Sequence, residues 1–323
     1  MKIIDFDSPG PPEVLKLIET KIPYPAENEL LIKVVAAGVN RPDLLQREGV
    51  YPPPVGHSRI LGLEVSGLVE KIGKKISNFN VGDKVCSLLD GGGYAEYAIA
   101  KEIQTTRFPD NLSFIEAAAL PECFITCWSN LVDRGEIKKN QNVLIHGGAS
   151  GIGTTAIQIL KLFDSNIFTT VGNNNKKKFC KNLGANVVIN YNEIDFFEFI
   201  KKSKVKIDLI LDMVGGDYLQ KNIDLLSNDG KLINIAFLKG STVNVNFMKV
   251  MLKRLTITGS TLRIRDENFK GKVLKNIEKN IFPKIKDGTI RPIIDSTFKL
   301  KDVSKAHQRL YKNEHIGKVI IEI

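Results

Sequence analysis

The sequence predicts an α/β protein, built from a doubly wound parallel sheet and a discontinuous β-rich domain. Three observations predict it. A glycine-rich turn, Gly147-Gly-Ala-Ser-Gly-Ile-Gly153, lies between a strand-like run, Val143–His146, and a helix-like run, Thr154–Leu162. Short apolar strands then alternate with helices to about residue 260, the pattern of parallel crossover units. The first stretch of about one hundred residues instead carries short strand candidates parted by Gly and Pro clusters.

In the β-rich part, Leu30–Ala36, Gly67–Ile72 and Lys84–Leu89 read as strands. Tyr51-Pro-Pro-Pro-Val-Gly56 and Asp90-Gly-Gly-Gly93 separate them, and Val81–Val85 reads as a tight turn feeding a strand. Ser113, with Glu116 three residues later, predicts a capped helix, and a second helix is expected over Phe124–Val132. Beyond the glycine turn, strands are expected at Ile167–Val171, Val187–Asn190, Leu209–Asp212, Lys231–Ile235 and Thr256–Gly259, with a helix at Lys176–Leu183. The tail predicts helices at Lys270–Lys286 and Asp302–Leu310 and a last strand, Lys318–Ile323. That strand has no neighbour in sequence to pair with. It is expected to return to the β-rich domain, giving domains of residues 1–120 with 263–323 and of residues 121–262.

Bulk properties narrow the function classes. The chain has 323 residues, 43% of them hydrophobic, which is mass enough for two domains. It lacks both the apolar run of about 18 residues that a spanning helix requires and an N-terminal apolar leader, so a cytoplasmic protein is expected. Cys86, Cys123, Cys127 and Cys180 form no C-x-x-C pair and read as reduced thiols. The net charge of +10 is spread along the chain rather than gathered in an arm. A solvated lysine-rich surface explains it better than nucleic-acid binding does.

The glycine turn asks for a ligand that comes close to bare backbone. Gly147, Gly148, Gly151 and Gly153, followed by a helix N-terminus, fit the pyrophosphate of a dinucleotide. The pattern is also similar to the short-chain dehydrogenase turn, but the matching Tyr97-Ala-Ile-Ala-Lys101 lies upstream instead of downstream, so that reading is set aside. NAD-selective folds end the second strand with an acid that binds the ribose 2′-hydroxyl. Here the strand runs into Gly172-Asn-Asn-Asn-Lys-Lys-Lys178, with no acid between Asp164 and Glu193. Lysines at a helix start attract a 2′-phosphate, so NADPH is the expected cofactor.

Seven ordered motifs extend this reading. They are Gly38-Val-Asn-Arg-Pro-Asp43, Tyr51-Pro-Pro-Pro54, Leu61-Gly-Leu-Glu64, Val81-Gly-Asp-Lys84, Gly91-Gly-Gly-Tyr-Ala-Glu-Tyr97, Ala117-Ala-Ala-Leu-Pro121 and the glycine turn. With Ala306-His307 and His315-Ile-Gly-Lys318, the chain resembles the zinc-free quinone oxidoreductase branch of the medium-chain dehydrogenase/reductase superfamily over nearly its whole length. The resemblance implies a Rossmann NADPH domain and a discontinuous GroES-like domain. Zinc-dependent alcohol dehydrogenases of the superfamily carry Cys where this chain has Asn40, and Gly-His-Glu where it has Gly62-Leu63-Glu64. A metal-free site is expected, because the soft ligands zinc requires are missing.

The resemblance also implies site residues. Asn40 and Thr126 would border the nicotinamide, and Tyr51 would meet the acceptor oxygen or supply a proton, giving Tyr51, Asn40 and Thr126 as the catalytic set. Gly148, Ser150, Gly151, Ile152 and Gly153 would hold the pyrophosphate. Gly172, Asn173, Lys176 and Tyr191 match 2′-phosphate positions, and Phe237, Leu238, Leu262, Arg263 and Lys318 would line the nicotinamide end. Tyr51 packed on its prolines, and Thr126 as a helix-surface hydroxyl, are the competing structural readings. Arg41 and Glu64 read as structural neighbours. The implied activity is NADPH:quinone oxidoreduction, with C=C reduction of an enone, 2-alkenal or enoyl thioester as the alternative. A cofactor-binding protein without activity is a third reading. A homodimer through the edge strand near Thr256–Gly259 is implied as well, with Val243–Phe247 readable as edge strand or loop.

Overall fold

A computed structural model describes residues 1–323, which divide into one unit of Met1–Ile125 with Arg263–Ile323 and another of Thr126–Leu262. The first unit opens with an antiparallel hairpin of β1 (Lys2–Asp5) and β2 (Lys16–Glu19). The long strand β3 (Glu29–Val39) leads into helix α1 (Arg41–Arg47), then β4 (Glu64–Ile72), β5 (Lys84–Leu88), β6 (Tyr97–Lys101) and β7 (Thr105–Arg107). Helix α2 (Phe114–Ala117) starts where the sequence places it: Ser113 Oγ accepts from Glu116 N, and Glu116 Oε2 accepts from Ser113 N. Helix α3 (Pro121–Cys127) follows and leads into a wider-wound turn, Trp128–Arg134. The expected Phe124–Val132 helix is therefore real but begins earlier and changes its winding midway.

The second unit contains β8 (Asn142–His146), α4 (Gly151–Lys161), β9 (Asn166–Val171), α5 (Asn174–Leu183), β10 (Val187–Asn190) and α6 (Phe196–Lys202). It continues through β11 (Ile207–Asp212), α7 (Tyr218–Leu225), β12 (Leu226–Asn234), α8 (Met248–Leu252) and β13 (Thr256–Gly259). These six strands form one wholly parallel sheet in the order β10-β9-β8-β11-β12-β13. Strand order reverses beside β8, and the glycine turn follows that strand. This is the Rossmann arrangement, in which ligands gather at the carboxyl ends of the strands. Leu144, Phe168, Ile189, Ile210 and Leu232 fill its core and are at most 3% exposed, which explains their nearly continuous apolar runs. Val243–Phe247 forms no strand, so of the two readings of that stretch the structure takes the loop.

The chain then returns to the first unit through α9 (Glu267–Asn280), α10 (Phe282–Lys286), β14 (Ile294–Lys299), α11 (Val303–Tyr311) and β15 (Lys318–Glu322). The single helix expected over Lys270–Lys286 is two, since Pro283 sits in the first turn of α10 and cannot donate to the preceding one. Strand β15 pairs antiparallel with β3, placing Val319 opposite Val39 and Glu322 opposite Ala36. The seven-stranded sheet runs β14-β15-β3-β4-β5-β7, with β6 also on β3. Its core joins Leu30, Ile32, Val34, Val65 and Val85 to Val319 and Ile321 from the far end of the sequence. The last strand thus completes the first sheet.

Candidate active site

In the second unit the glycine turn is shaped by close approach. A Cβ on Gly148 would lie 2.1 Å from Thr169 Oγ1, and one on Gly153 would lie 2.3 Å from Gly147 O. Gly147 itself takes a left-handed φ of 77° that L side chains rarely adopt. Ser150 caps α4, its Oγ accepting from Gly153 N at 3.0 Å. The N–H groups of Gly151 and Ile152 open the helix with no intrahelical acceptor, as the first turn of any helix must. Bare backbone and free N–H donors at the N-terminus of a helix of 11 residues suit a pyrophosphate.

Just past β9, Asn173 Oδ1 caps α5 by accepting from Lys176 N at 2.9 Å, and the side-chain amide N–H groups remain as donors. A Cβ on Gly172 would meet the Tyr191 hydroxyl at 2.6 Å, so glycine leaves room beside that ring. Tyr191 is exposed and Lys176 buried. One acid does approach, hidden from the sequence by its distance along the chain. Glu193 Oε1 accepts from Asn174 Nδ2 at 2.6 Å. The residues present therefore fit an adenine dinucleotide. NADPH, when bound, supplies a hydride.

Beneath the strand ends a buried network stiffens this unit. Asn222 offers its Oδ1 to His146 Nε2 (2.9 Å), so Nε2 carries the imidazole proton and Nδ1 accepts from Thr170 Oγ1 (3.1 Å). Asn222 and Asn234 both donate to Asp212 Oδ2, each at 3.1 Å, while Asp212 Oδ1 accepts from Val214 N and Gly215 N. Burial pushes the His146 pKa down, which suits the neutral ring that this pattern requires. Phe237 and Leu238, exposed in the turn after β12, are held through Leu238 N to Met213 O. Thr126 is half-buried, and its carbonyl accepts from Asn130 Nδ2 and Ser129 Oγ. Leu262, half-buried, closes the unit.

In the first unit a second polar cluster forms around Lys318. Its Nζ donates to Glu64 Oε1 (2.6 Å), Asn40 Oδ1 (2.5 Å) and Val39 O (3.1 Å), which uses all three N–H groups. Asn40 Nδ2 donates to Glu64 Oε1 at 2.9 Å, and Glu64 Oε2 accepts from the backbone N–H of Glu122 at 2.9 Å. Lys318 is 5% and Glu64 0% exposed. All three N–H groups of Lys318 are thus engaged within the protein, and the side chain serves as an internal tie. The Glu122 carboxyl has no hydrogen-bond partner in the protein. Burial and the nearby Glu64 carboxylate push its pKa up to about 8.

Tyr51 is half-buried under Arg263, whose guanidinium lies 5.6 Å from the ring centre. Arg263 Nη2 donates to Gln46 Oε1 at 2.7 Å, while its Nε and Nη1 stay buried without a partner. Tyr51 therefore packs against a cation as well as its prolines. A directed chain runs behind them. Arg47 Nη1 can only donate, so His307 Nδ1 accepts it (3.2 Å), His307 Nε2 donates to the Tyr94 hydroxyl (3.2 Å), and that hydroxyl donates to Asp43 Oδ2 (3.1 Å). Asp43 also accepts from Asn40 N and Gly62 N. Burial raises its pKa to about 6 against the pull of those bonds, and burial with the Arg47 charge lowers that of His307 to about 3.

Comparison with known proteins agrees with both halves. Residues 26–110 match the alcohol dehydrogenase GroES-like domain family, and residues 151–279 match the zinc-binding dehydrogenase family. The chain is 31% identical to the human quinone oxidoreductase over 327 residues, covering 99% of this chain and 96% of that protein. Against the quinone oxidoreductase of Lama guanicoe the identity is 33% over 330 residues, covering 99% and 97%. The chain belongs to the quinone oxidoreductase branch of the medium-chain dehydrogenase/reductase superfamily. It is accordingly an oxidoreductase. Among solved structures, the Escherichia coli quinone oxidoreductase complexed with NADPH superposes with a TM-score of 0.90 at 29% identity, covering both chains completely.

Of the residues expected from sequence, Asn40, Tyr51, Arg263 and Lys318 fall in the first unit's cluster. The glycine turn with Ser150 and Ile152, then Gly172, Asn173, Lys176, Tyr191, Phe237 and Leu238, lie at the carboxyl ends of the second unit's strands. Sequence reasoning passed over Glu122 and carried Asp43, Tyr94 and His307 only as members of motifs, without a role. Each stands in an ordinary context for its type, a glutamate in a first helical turn or a histidine on a helix, and only the fold brings them to the Lys318 and Arg47 cations.

The Lys318–Glu64 tie makes a test. Removing either partner leaves a buried charge, so Lys318→Met or Glu64→Gln should each cost about 3–5 kcal/mol in urea unfolding. The double substitution should cost less than the sum of the two, and additive losses would show that the pair does not act as one unit.

Proposed function

We propose that this chain transfers hydride from NADPH to a quinone without help from a metal. The observation that carries the reading is the turn Gly147–Gly153 opening α4 with free N–H groups, followed past β9 by asparagines and lysines. The side-chain N–H groups of Asn173, the lysines of α5 and the Tyr191 hydroxyl are the proposed 2′-phosphate ligands, and Gly148, Ser150, Gly151, Ile152 and Gly153 those of the pyrophosphate. Phe237, Leu238, Leu262 and Thr126 are proposed at the nicotinamide.

The acceptor is assigned to Tyr51 and Arg263. The unclaimed N–H groups of Arg263 are suited to a carbonyl oxygen that gains negative charge as hydride arrives. Metal-free chemistry is supported by the ligand set: no group of three His, Cys, Asp or Glu side chains is placed to hold a metal ion, and Asn40 is committed to Glu64 and Lys318. An electron-poor acceptor accepts hydride without the polarisation that an alcohol would need before giving one up. Reduction of an activated C=C bond would use the same groups, and NADPH oxidation against a panel of quinones and enones separates the two. Cys86, Cys123, Cys127 and Cys180 are free thiols, which accords with a cytoplasmic setting, and no helix is long and apolar enough to cross a membrane.

We also propose a homodimer. Strand β13 is a sheet edge with Ile257 exposed, and Met248, Met251 and Leu252 on α8 are 56–66% exposed. Two measurements test these readings. Calorimetric titration should give NADPH at least about tenfold tighter binding than NADH, a gap of about 1.4 kcal/mol; equal affinities, or tighter NADH, would overturn the cofactor assignment. Sedimentation should find a dimer that Ile257→Lys converts to monomer, and a monomeric unaltered protein would remove the edge-strand proposal.

A further inference from the structure

Between β11 and α7 the chain makes a short turn, Met213-Val-Gly-Gly216, that touches two parts of the second unit at once. On one side it meets the glycine turn. Ser150 Oγ donates to Met213 Sδ at 3.9 Å, and a Cβ on Gly147 would lie 3.1 Å from the same sulfur. On the other side it is bonded to the loop after β12. Leu238 N donates to Met213 O (3.2 Å), Lys239 N to Val214 O (2.8 Å) and Gly216 N to Gly240 O (2.9 Å). The closest approach is at Gly215, which has a left-handed φ of 65°. A Cβ there would lie 2.6 Å from Phe237 Cδ1 and 2.9 Å from Gly240 O.

Asp212, the last residue of β11 and fully buried, holds this turn from behind. Its Oδ1 accepts from Val214 N at 2.6 Å and from Gly215 N at 3.2 Å. Its Oδ2 accepts from the side-chain amides of Asn222 on α7 and Asn234 at the end of β12, each at 3.1 Å. Four donors thus converge on one carboxylate, which can accept on both oxygens. An amide in its place would turn its NH2 toward either the two backbone N–H groups or the two asparagine NH2 groups. Bonds to an ionised acceptor are also about twice as strong as neutral ones. Asn222 is fixed in its turn by His146 Nε2, so the surroundings of the carboxylate do not rotate to suit a substitute.

We propose that Asp212 is a positioning residue for the cofactor: by fixing the Met213–Gly216 turn, it sets the spacing between the pyrophosphate turn and the Phe237–Gly240 loop. The proposal rests on the reading of the chain as an NADPH-dependent reductase with Phe237 and Leu238 at the nicotinamide. A dinucleotide held at its pyrophosphate by one loop and at its nicotinamide by another is aimed only while the two loops keep their distance. A misplacement of about 1 Å is worth about 100-fold in rate. Asp212 touches neither loop with its own side chain and acts on both through the turn. The residues proposed for the 2′-phosphate are held by other bonds, Asn173 to Lys176 N and Asn174 to Glu193. That end of the site is an internal control.

The test compares the unaltered protein with Asp212→Asn and Gly215→Ala. Calorimetry measures the binding of NADPH and, separately, of adenosine 2′-monophosphate, which carries the 2′-phosphate and lacks both pyrophosphate and nicotinamide. Amide hydrogen exchange follows Gly216, Leu238 and Lys239, whose N–H groups bond the turn to the loop. Asp212→Asn should weaken NADPH binding about tenfold, leave adenosine 2′-monophosphate within about twofold, and speed exchange at those amides. Gly215→Ala pushes Phe237 and Gly240 off the turn while the carboxylate stays in place, and it should give the same split between the two ligands. Unchanged NADPH affinity in both variants would overturn the proposal. So would equal weakening of the two ligands, which marks general damage to the sheet. Failure of the unaltered protein to bind NADPH would instead overturn the reductase reading, and the exchange rates in Asp212→Asn would still decide whether the carboxylate holds the turn to the loop.

Discussion

The Lys318 ammonium is the constraint around which the first unit is organised. It reaches from the start of the last strand to the end of β3 and the start of β4, and its three hydrogen bonds decide what the surrounding groups can do. Glu64 is neutralised, and Asn40 is held by both ends of its amide. Such a buried pair is weak as a source of net stability, since desolvation cancels most of the attraction. It does specify geometry, because no other register of β15 on β3 would bring the ammonium to both oxygens. It also sets a charge deficit. Lys318 has no N–H left for Glu122, and that carboxyl, left without a hydrogen bond, becomes the weak acid.

The second unit obeys a different constraint, the close approach of backbone to backbone and to ligand. Thr169 and Gly147 stand where side chains on Gly148 and Gly153 would go, so the turn is fixed by what is missing. Behind it, the neutral His146 ring and the Asp212 carboxylate bind four strand ends into one hydrogen-bonded layer, from Thr170 through Asn222 to Asn234. A rigid layer of this kind is what lets free N–H groups at a helix start remain aimed at a phosphate.

Much of this was legible in the sequence, for physical reasons that differ between the units. The inner parallel strands of the second unit are buried on both faces and read as apolar runs, so β8 and β9 begin within one residue of where they are expected. The strand β3 runs three residues beyond its expected end, because Ala37, Gly38 and Val39 are small or turn-like in sequence and become strand only by pairing with β15. No residue pattern announced the wider winding after Cys127, whereas Pro283 itself marks the break that the expected single helix passed over. The site divides in the same way. A glycine turn is a local signal. The roles of Lys318, Glu122 and His307 depend on contacts across 58 to 279 positions, and a local pattern cannot carry them.

The central claim is one of charge: with the Lys318 ammonium spent on Glu64, Asn40 and Val39, burial and the Glu64 carboxylate push the Glu122 pKa up to about 8. Infrared spectroscopy of the protein titrated with base reads this directly, through the C=O stretch that a carboxylic acid has and a carboxylate lacks. The account predicts a protonated-carboxyl band at pH 7 that disappears with a midpoint near 8 and is missing from Glu122→Gln. A spectrum at pH 7 with no such band, or one that Glu122→Gln leaves in place, would contradict it.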